Sequence, residues 1–261
     1  MRFLLLLPGF LAPLGLLAAE IEPRLLMDDP VRVTVTVEPA GDGESAVFHV
    51  GESQVATLYT GDADQDFRSN IIWQAPYLLI RSVSGGNCWD CAGEAVFRIE
   101  GGKALRLGDI NTDLPPDNEL SVASGYFVTT YSRLELQAGF CHACSPSFVV
   151  SLADRGDRLE IDGDGTWALN EALWQREMLS PAVVPAEGDE EARFRWEGEG
   201  FRDLVAAAAL ARFCGHEADL AALRARWEPL LDEDGRKRLA EALDLVKPLE
   251  PVSAWNSAAP Y

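Results

Sequence analysis

The sequence predicts an α+β protein: an antiparallel β-meander or partial propeller-like sheets, followed by a small C-terminal helical region. Three observations carry that expectation. Val31 to Glu38 alternates strictly between apolar and polar side chains, the period-2 signature of a strand with one buried face. Short runs of branched and aromatic residues separated by glycine turns continue the pattern as far as Leu152. From Trp167 onward the apolar spacing lengthens to that of a helix.

Taken in order, Met1 to Ala19 has one positive charge at Arg2, a long apolar middle interrupted by Pro8 and Pro13, and the small pair Ala18-Ala19 before Glu20. That is the build of a secretory signal peptide, too short and too broken for a membrane span of about 20 residues. The expected location is periplasmic or secreted, with no direct membrane insertion after cleavage. Ser45 to Val50 and Gln54 to Thr60 read as strands around Gly51, and Tyr77 to Val83 as another. Ala95 to Glu100 and Ala104 to Leu107 form a hairpin through Gly101-Gly102. Tyr126 to Tyr131, Leu134 to Gln137 and Phe148 to Leu152 complete the β pattern.

Trp167, Leu169, Ala172, Leu173, Trp174 and Met178 mark the apolar face of a helix that Pro181 ends. The stretch from Pro181 to Gly200, with Glu187, Asp189, Glu190 and Glu191 clustered, reads as an acidic loop or linker. Three helical stretches follow, Phe201 to Cys214, His216 to Leu231 and Gly235 to Val246, punctuated by Gly215 and Gly235. Leu204, Leu210, Ala211 and Cys214 mark the apolar face of the first. The predicted organisation is a signal peptide over 1–19, a β-rich domain with paired cysteines over 20–180, the acidic segment over 181–200, a helical region over 201–247 and a tail over 248–261. The helical unit, under about fifty residues, is too small to be stable alone and is expected to dock on the β part.

Charge narrows the choice of partners. The formal net charge is −20 and the pI about 4.4, a field that repels phosphate backbones and anionic headgroups. Nucleic acid is therefore not an expected partner, whereas cationic proteins and metal ions are favoured. Catalytic motifs are absent: His49, His142 and His216 belong to no hydrolase signature, and there is no G-x-S-x-G, H-E-x-x-H or phosphate-binding glycine loop.

Four of the five cysteines fall into two C-x-x-C pairs, Cys88 with Cys91 and Cys141 with Cys144. Neither pair leads into a helix, as a thioredoxin-type redox pair does, and neither is followed by the histidine of a haem attachment site. Together they suit a four-cysteine cluster, holding either zinc or disulfides. A disulfide closing a loop of roughly 50 residues contributes about 4 kcal/mol, against about 2 within a four-residue turn. Export to an oxidising compartment favours disulfides over zinc. Cys214, alone on a helical face, reads as a small buried apolar residue.

Two acidic loops approach the calcium-loop template. Asp62, Asp64 and Asp66 alternate, but lack the glycine at the sixth position and the glutamate at the twelfth. Glu160-Ile161-Asp162-Gly163-Asp164-Gly165, with Glu171 twelfth, fits better, with Glu160 at the first position in place of aspartate. Asp162, Asp164 and Glu171 are the candidate calcium ligands; a plain Asp-Gly-Asp-Gly turn is the alternative.

The Ser84-Gly85-Gly86 turn leading into cysteine, the hairpin Ala95 to Leu107, and Cys141-His142-Ala143-Cys144-Ser145-Pro146 before the strand at Phe148 resemble exported bacterial proteins related to integrin-like, VCBS-type β-propeller repeats. The resemblance covers roughly 61–165. It implies a β-meander module used for interaction, without an active site. The expected function is thus an exported, non-enzymatic binding protein of the bacterial envelope, recognising protein or an envelope component and stabilised by the cysteine cluster. Two alternatives stand beside it: a periplasmic inhibitor or immunity protein neutralising a basic enzyme or toxin, and a thiol-disulfide oxidoreductase. No cofactor is expected beyond calcium or zinc.

Overall fold

Alternation, turn chemistry and one helix with a fully buried middle account for most of the architecture. The computed structural model describes residues 23–40, 43–60, 66–83, 92–111, 125–131, 134, 138–140, 145–179, 184–185 and 189–249. The signal-like segment, the paired cysteines with His142, Asp62 and Asp64 lie outside them, as does the expected strand at Leu134 to Gln137 apart from Leu134, which sits in a turn.

Among the described residues, eleven strands form three antiparallel meanders in which chain neighbours are sheet neighbours. Sheet I contains β1 (Arg24–Met27), β2 (Val33–Ala40), β3 (Gly43–Val50) and β4 (Ser53–Thr60). Sheet II contains β5 (Ile71–Gln74), β6 (Tyr77–Val83), β7 (Ala92–Glu100) and β8 (Lys103–Asn111). Sheet III contains β9 (Tyr126–Tyr131), β10 (Phe148–Asp154) and the short β11 (Leu159–Ile161). The β7–β8 hairpin turns on Gly101 and Gly102, at φ +58° and +76°, a two-residue turn that side chains rarely allow and glycine does.

Period-2 alternation decides how the sheets stack. Leu78, Ile80, Ala95, Phe97 and Ile99 leave one face of sheet II and pack with Val33, Val35, Phe48 and Val50 of sheet I. Phe67, in the 3₁₀ turn Phe67–Asn70 before β5, closes that layer with its ring edge-on to Phe48. Tyr77, Leu79, Val96, Leu107 and Ile110 leave the opposite face and join Phe127, Val150 and Leu152 of sheet III. Sheet II is thus buried on both sides, which is why β6 reads Tyr-Leu-Leu-Ile without a polar break. The meanders stack face to face, and no ring or barrel closes among the described residues.

The helices continue the second core. They are α1 (Gly163–Leu179), α2 (Glu190–Arg195), a π-helical turn at Trp196–Gly200, α3 (Phe201–Phe213), α4 (Glu217–Trp227) and α5 (Glu233–Leu245). One apolar core runs from sheet II through sheet III into α3, α4 and α5. At its centre Phe213 meets Tyr131 at 5.1 Å and Phe148 at 5.4 Å between ring centroids.

Three sequence expectations change here. The apolar face predicted for α3 is too narrow: Val205, Ala206, Ala207, Ala208 and Ala209 are buried along with Leu204 and Leu210, because the middle of α3 lies inside the helical layer and is covered all round. The acidic segment at 181–200 is helical from Glu190 on. Asp189 accepts the Ala192 N–H at 3.0 Å, and Glu190 and Glu191 occupy the first turn, where the helix dipole favours carboxylates. Finally, α1 starts at Gly163 and buries Thr166, Asn170 and Glu177 while leaving Leu169 exposed.

The polar stripe on α1 has a definite partner. Because β11 is short, β10 lacks a strand neighbour beside Val149, and α1 takes its place. Asn170 Oδ1 accepts the Val149 N–H at 3.0 Å, and its Nδ2 donates to the Val149 carbonyl at 2.7 Å. Thr166 Oγ1 accepts the Ser151 N–H at 3.0 Å. Side chains of a helix thereby satisfy backbone groups that a strand would otherwise pair.

Candidate functional site

Of the predicted calcium ligands, Asp162 is a helix cap. Its Oδ1 accepts the Gly165 N–H at 3.1 Å, and its own N–H donates to the Ser151 carbonyl at 2.8 Å. Asp164 and Glu171 are exposed, seven residues apart on α1 and so about 10 Å apart along its axis; Glu171 accepts a hydrogen bond from Gln175. Asp66 caps the 3₁₀ turn through the Arg68 N–H at 3.1 Å. No group of three His, Cys, Asp or Glu side chains gathers for a metal ion among the described residues. Asp-Gly-Asp-Gly, which can begin a calcium loop, here caps and begins α1.

Cys214 caps the C-terminus of α3, half-buried. Burial, reinforced by the charge of Asp164, pushes its thiol up to about 12. A thiol held protonated at neutral pH does not act as a nucleophile. His216 stands two residues on, its Nδ1 3.1 Å from Asp219 Oδ2 and its ring stacked on Trp167 at 3.9 Å.

A recess of ligand size lies elsewhere among the described residues, between the π-helical turn, the start of α3 and the connection from α4 into α5. It has a volume of about 440 Å³, within the roughly 300–1,000 Å³ of small-molecule pockets. Trp196, Phe201, Leu230, Asp232, Asp234 and Arg238 line it. Each is placed by local sequence. Asp232 N-caps α5 by accepting the Gly235 N–H at 2.8 Å. Trp196 packs against Gly200, where a Cβ would come 2.3 Å from its ring, and stacks on Trp227 at 5.3 Å. Trp227 is itself fixed by donating its indole N–H to the Glu177 carbonyl at 3.0 Å.

Arg238 is held from three sides. Its Nε donates to the Ala138 carbonyl at 2.9 Å, and its guanidinium carbon sits 4.7 Å from the Phe140 ring centroid and 4.9 Å from that of Phe201. Among the described residues, no hydrogen bond or ion pair engages its remaining donors or the Asp234 carboxylate. Opposite charges thus line one recess without cancelling each other.

Sequence reading missed these residues. Asp234 and Arg238, four apart on a helix, look like an ordinary surface pair. The overlooked signal was Trp196, a large aromatic inside a stretch taken for a solvated linker.

Fold and recess define an α+β protein of stacked meanders with a ligand-sized pocket of mixed charge in its helical layer. The chain matches no family model, no curated protein and no solved structure.

Proposed function

We propose that this is an exported, non-enzymatic binding protein of the bacterial envelope that recognises a protein or envelope component. The pocket beside α5 carries the reading. It offers aromatic walls and unspent charge, the equipment of recognition. The signal-like start supports export, and paired cysteines outside the described residues suit an oxidising compartment. No helix among the described residues is long and apolar enough to cross a membrane.

Intact-mass measurement on periplasmic or culture-supernatant fractions tests export; a product beginning near Glu20 is expected, and recovery of only full-length chain in the cytoplasm overturns it. Binding is tested by co-purification from the envelope fraction, identification of the partner by mass and reconstitution from purified components. Failure of every candidate to re-form a complex rejects the reading.

The net charge of −20 favours a second reading, neutralisation of a basic enzyme or toxin. Complementary charge speeds association, so the association rate with such a partner falls steeply as salt rises. A salt-independent rate counts against it.

A further inference from the structure

We infer that the pocket beside α5 is a binding site for a small zwitterion: a free α-amino acid with an apolar or aromatic side chain, its carboxylate on Arg238, its ammonium on Asp234 and its side chain against Trp196 and Leu230. The inference rests on the binding reading above and names a ligand for that pocket.

Arg238 is the anchor. Its Nε is spent on the Ala138 carbonyl and its plane is fixed over Phe140 and Phe201. Its order is therefore set before any ligand arrives, and its outer donors keep the fork geometry that matches a carboxylate in two parallel bonds. Gly139, at φ +76°, makes room for this placement; a Cβ there would come 3.3 Å from Arg238 Nε.

Asp234 supplies the opposite charge. Residues four apart on a helix have Cβ atoms about 5–6 Å apart, yet Asp234 and Arg238 form no ion pair, and both line the recess. An ammonium and a carboxylate carried on one carbon fit between two such groups. A plain cation would meet Arg238 and a plain anion would meet Asp234 and Asp232, so the mixed charge selects against both. Asp232 is already engaged in capping α5.

The walls set the side-chain class. Trp196 lines the recess with an indole steadied by stacking on Trp227, and Leu230 stays 43% exposed at the rim although leucine favours burial. An apolar or aromatic side chain covers both.

The test is isothermal titration of the full mature chain with L-phenylalanine, with phenethylamine, which lacks the carboxylate, and with 3-phenylpropanoate, which lacks the ammonium. L-Phenylalanine should bind, and each truncated analogue should bind at least about ten-fold more weakly. Arg238→Lys should weaken L-phenylalanine by a similar factor. Asp234 is exposed and has no ion pair among the described residues, so Asp234→Asn keeps the fold and gives an independent arm: L-phenylalanine weakens while 3-phenylpropanoate does not. No binding of L-phenylalanine at millimolar concentration, equal binding of the three probes, or unchanged affinity in Asp234→Asn overturns the inference. A chain that binds no amino acid yet retains an envelope partner loses this inference alone. One that binds L-phenylalanine and no macromolecule loses only the macromolecular partner.

Discussion

Replacing Asp154 by alanine removes the polar tie between sheets II and III. Both Asp154 carboxylate oxygens accept from Arg98 Nη1, at 2.8 and 2.6 Å; Oδ2 also accepts the Tyr77 hydroxyl at 2.9 Å and Oδ1 the Gly156 N–H at 2.7 Å. The Asp154 side chain is only 6% exposed and that of Arg98 17%. Removing one partner of a buried pair costs about 3–5 kcal/mol, mostly because the other charge is left unpaired. Arg98 keeps the Gly156 carbonyl at 2.5 Å and the exposed Glu100 at 2.7 Å, so the loss belongs at the low end, about 3 kcal/mol. With an m-value of about 3 kcal/mol per M, the urea midpoint at neutral pH should fall by about 1 M with m unchanged. Circular dichroism reads this directly, and a shift below about 0.3 M would refute the reasoning. Acid provides a second check. Burial pushes the Asp154 carboxyl up, but bonds from Gly156, Arg98 and Tyr77 outweigh it and hold the group below its ordinary value. Its contribution is therefore present above the unfolded-state pKa and lost as pH falls through the folded one. Asp154→Asn should flatten the acid limb of the stability curve.

Tyr77 answers to alkali: burial first, then its bond to Asp154, pushes the phenol up to about 12, so its contribution is present below about pH 10 and lost as pH rises toward 12. Ultraviolet titration should show a late-ionising phenol that is lost in Tyr77→Phe; ordinary titration of every tyrosine in the folded wild type contradicts this. Asn170→Ala should cost about 1–3 kcal/mol by exposing the unpaired flank of β10, and should speed hydrogen exchange at the Val149 amide. Unchanged exchange there would show that α1 does not stand in for a strand. In the native state Cys214 should alkylate slowly at pH 8, its thiol being raised by burial. Under denaturing, non-reducing conditions, disulfides within 88–144 leave only Cys214 to be labelled, whereas labelling of all five cysteines means that the pairs were thiols or zinc ligands.

What the sequence determined by itself is what short-range chemistry controls. The alternation in Val31 to Glu38 could bury one face only as a strand, and Gly101-Gly102 permitted a turn that few other pairs allow; both appear where expected. The unbroken apolar run in β6 likewise required cover on both faces, though nothing local named the two covering surfaces. Tertiary structure decided the rest, because a residue's worth there depends on what arrives from far along the chain. Thr166, Asn170 and Glu177 are poor core residues by any hydrophobic period, yet they are buried on α1, where Thr166 and Asn170 meet the unpaired backbone of β10. Four consecutive alanines in α3 are interior because neighbours enclose that helix, a condition its own period cannot encode. The pocket is the extreme case. Asp234 and Arg238 sit four residues apart in the sequence, but it is Phe140, Phe201 and the Ala138 carbonyl, brought from elsewhere in the chain, that fix the guanidinium in place and leave both charges open to a ligand.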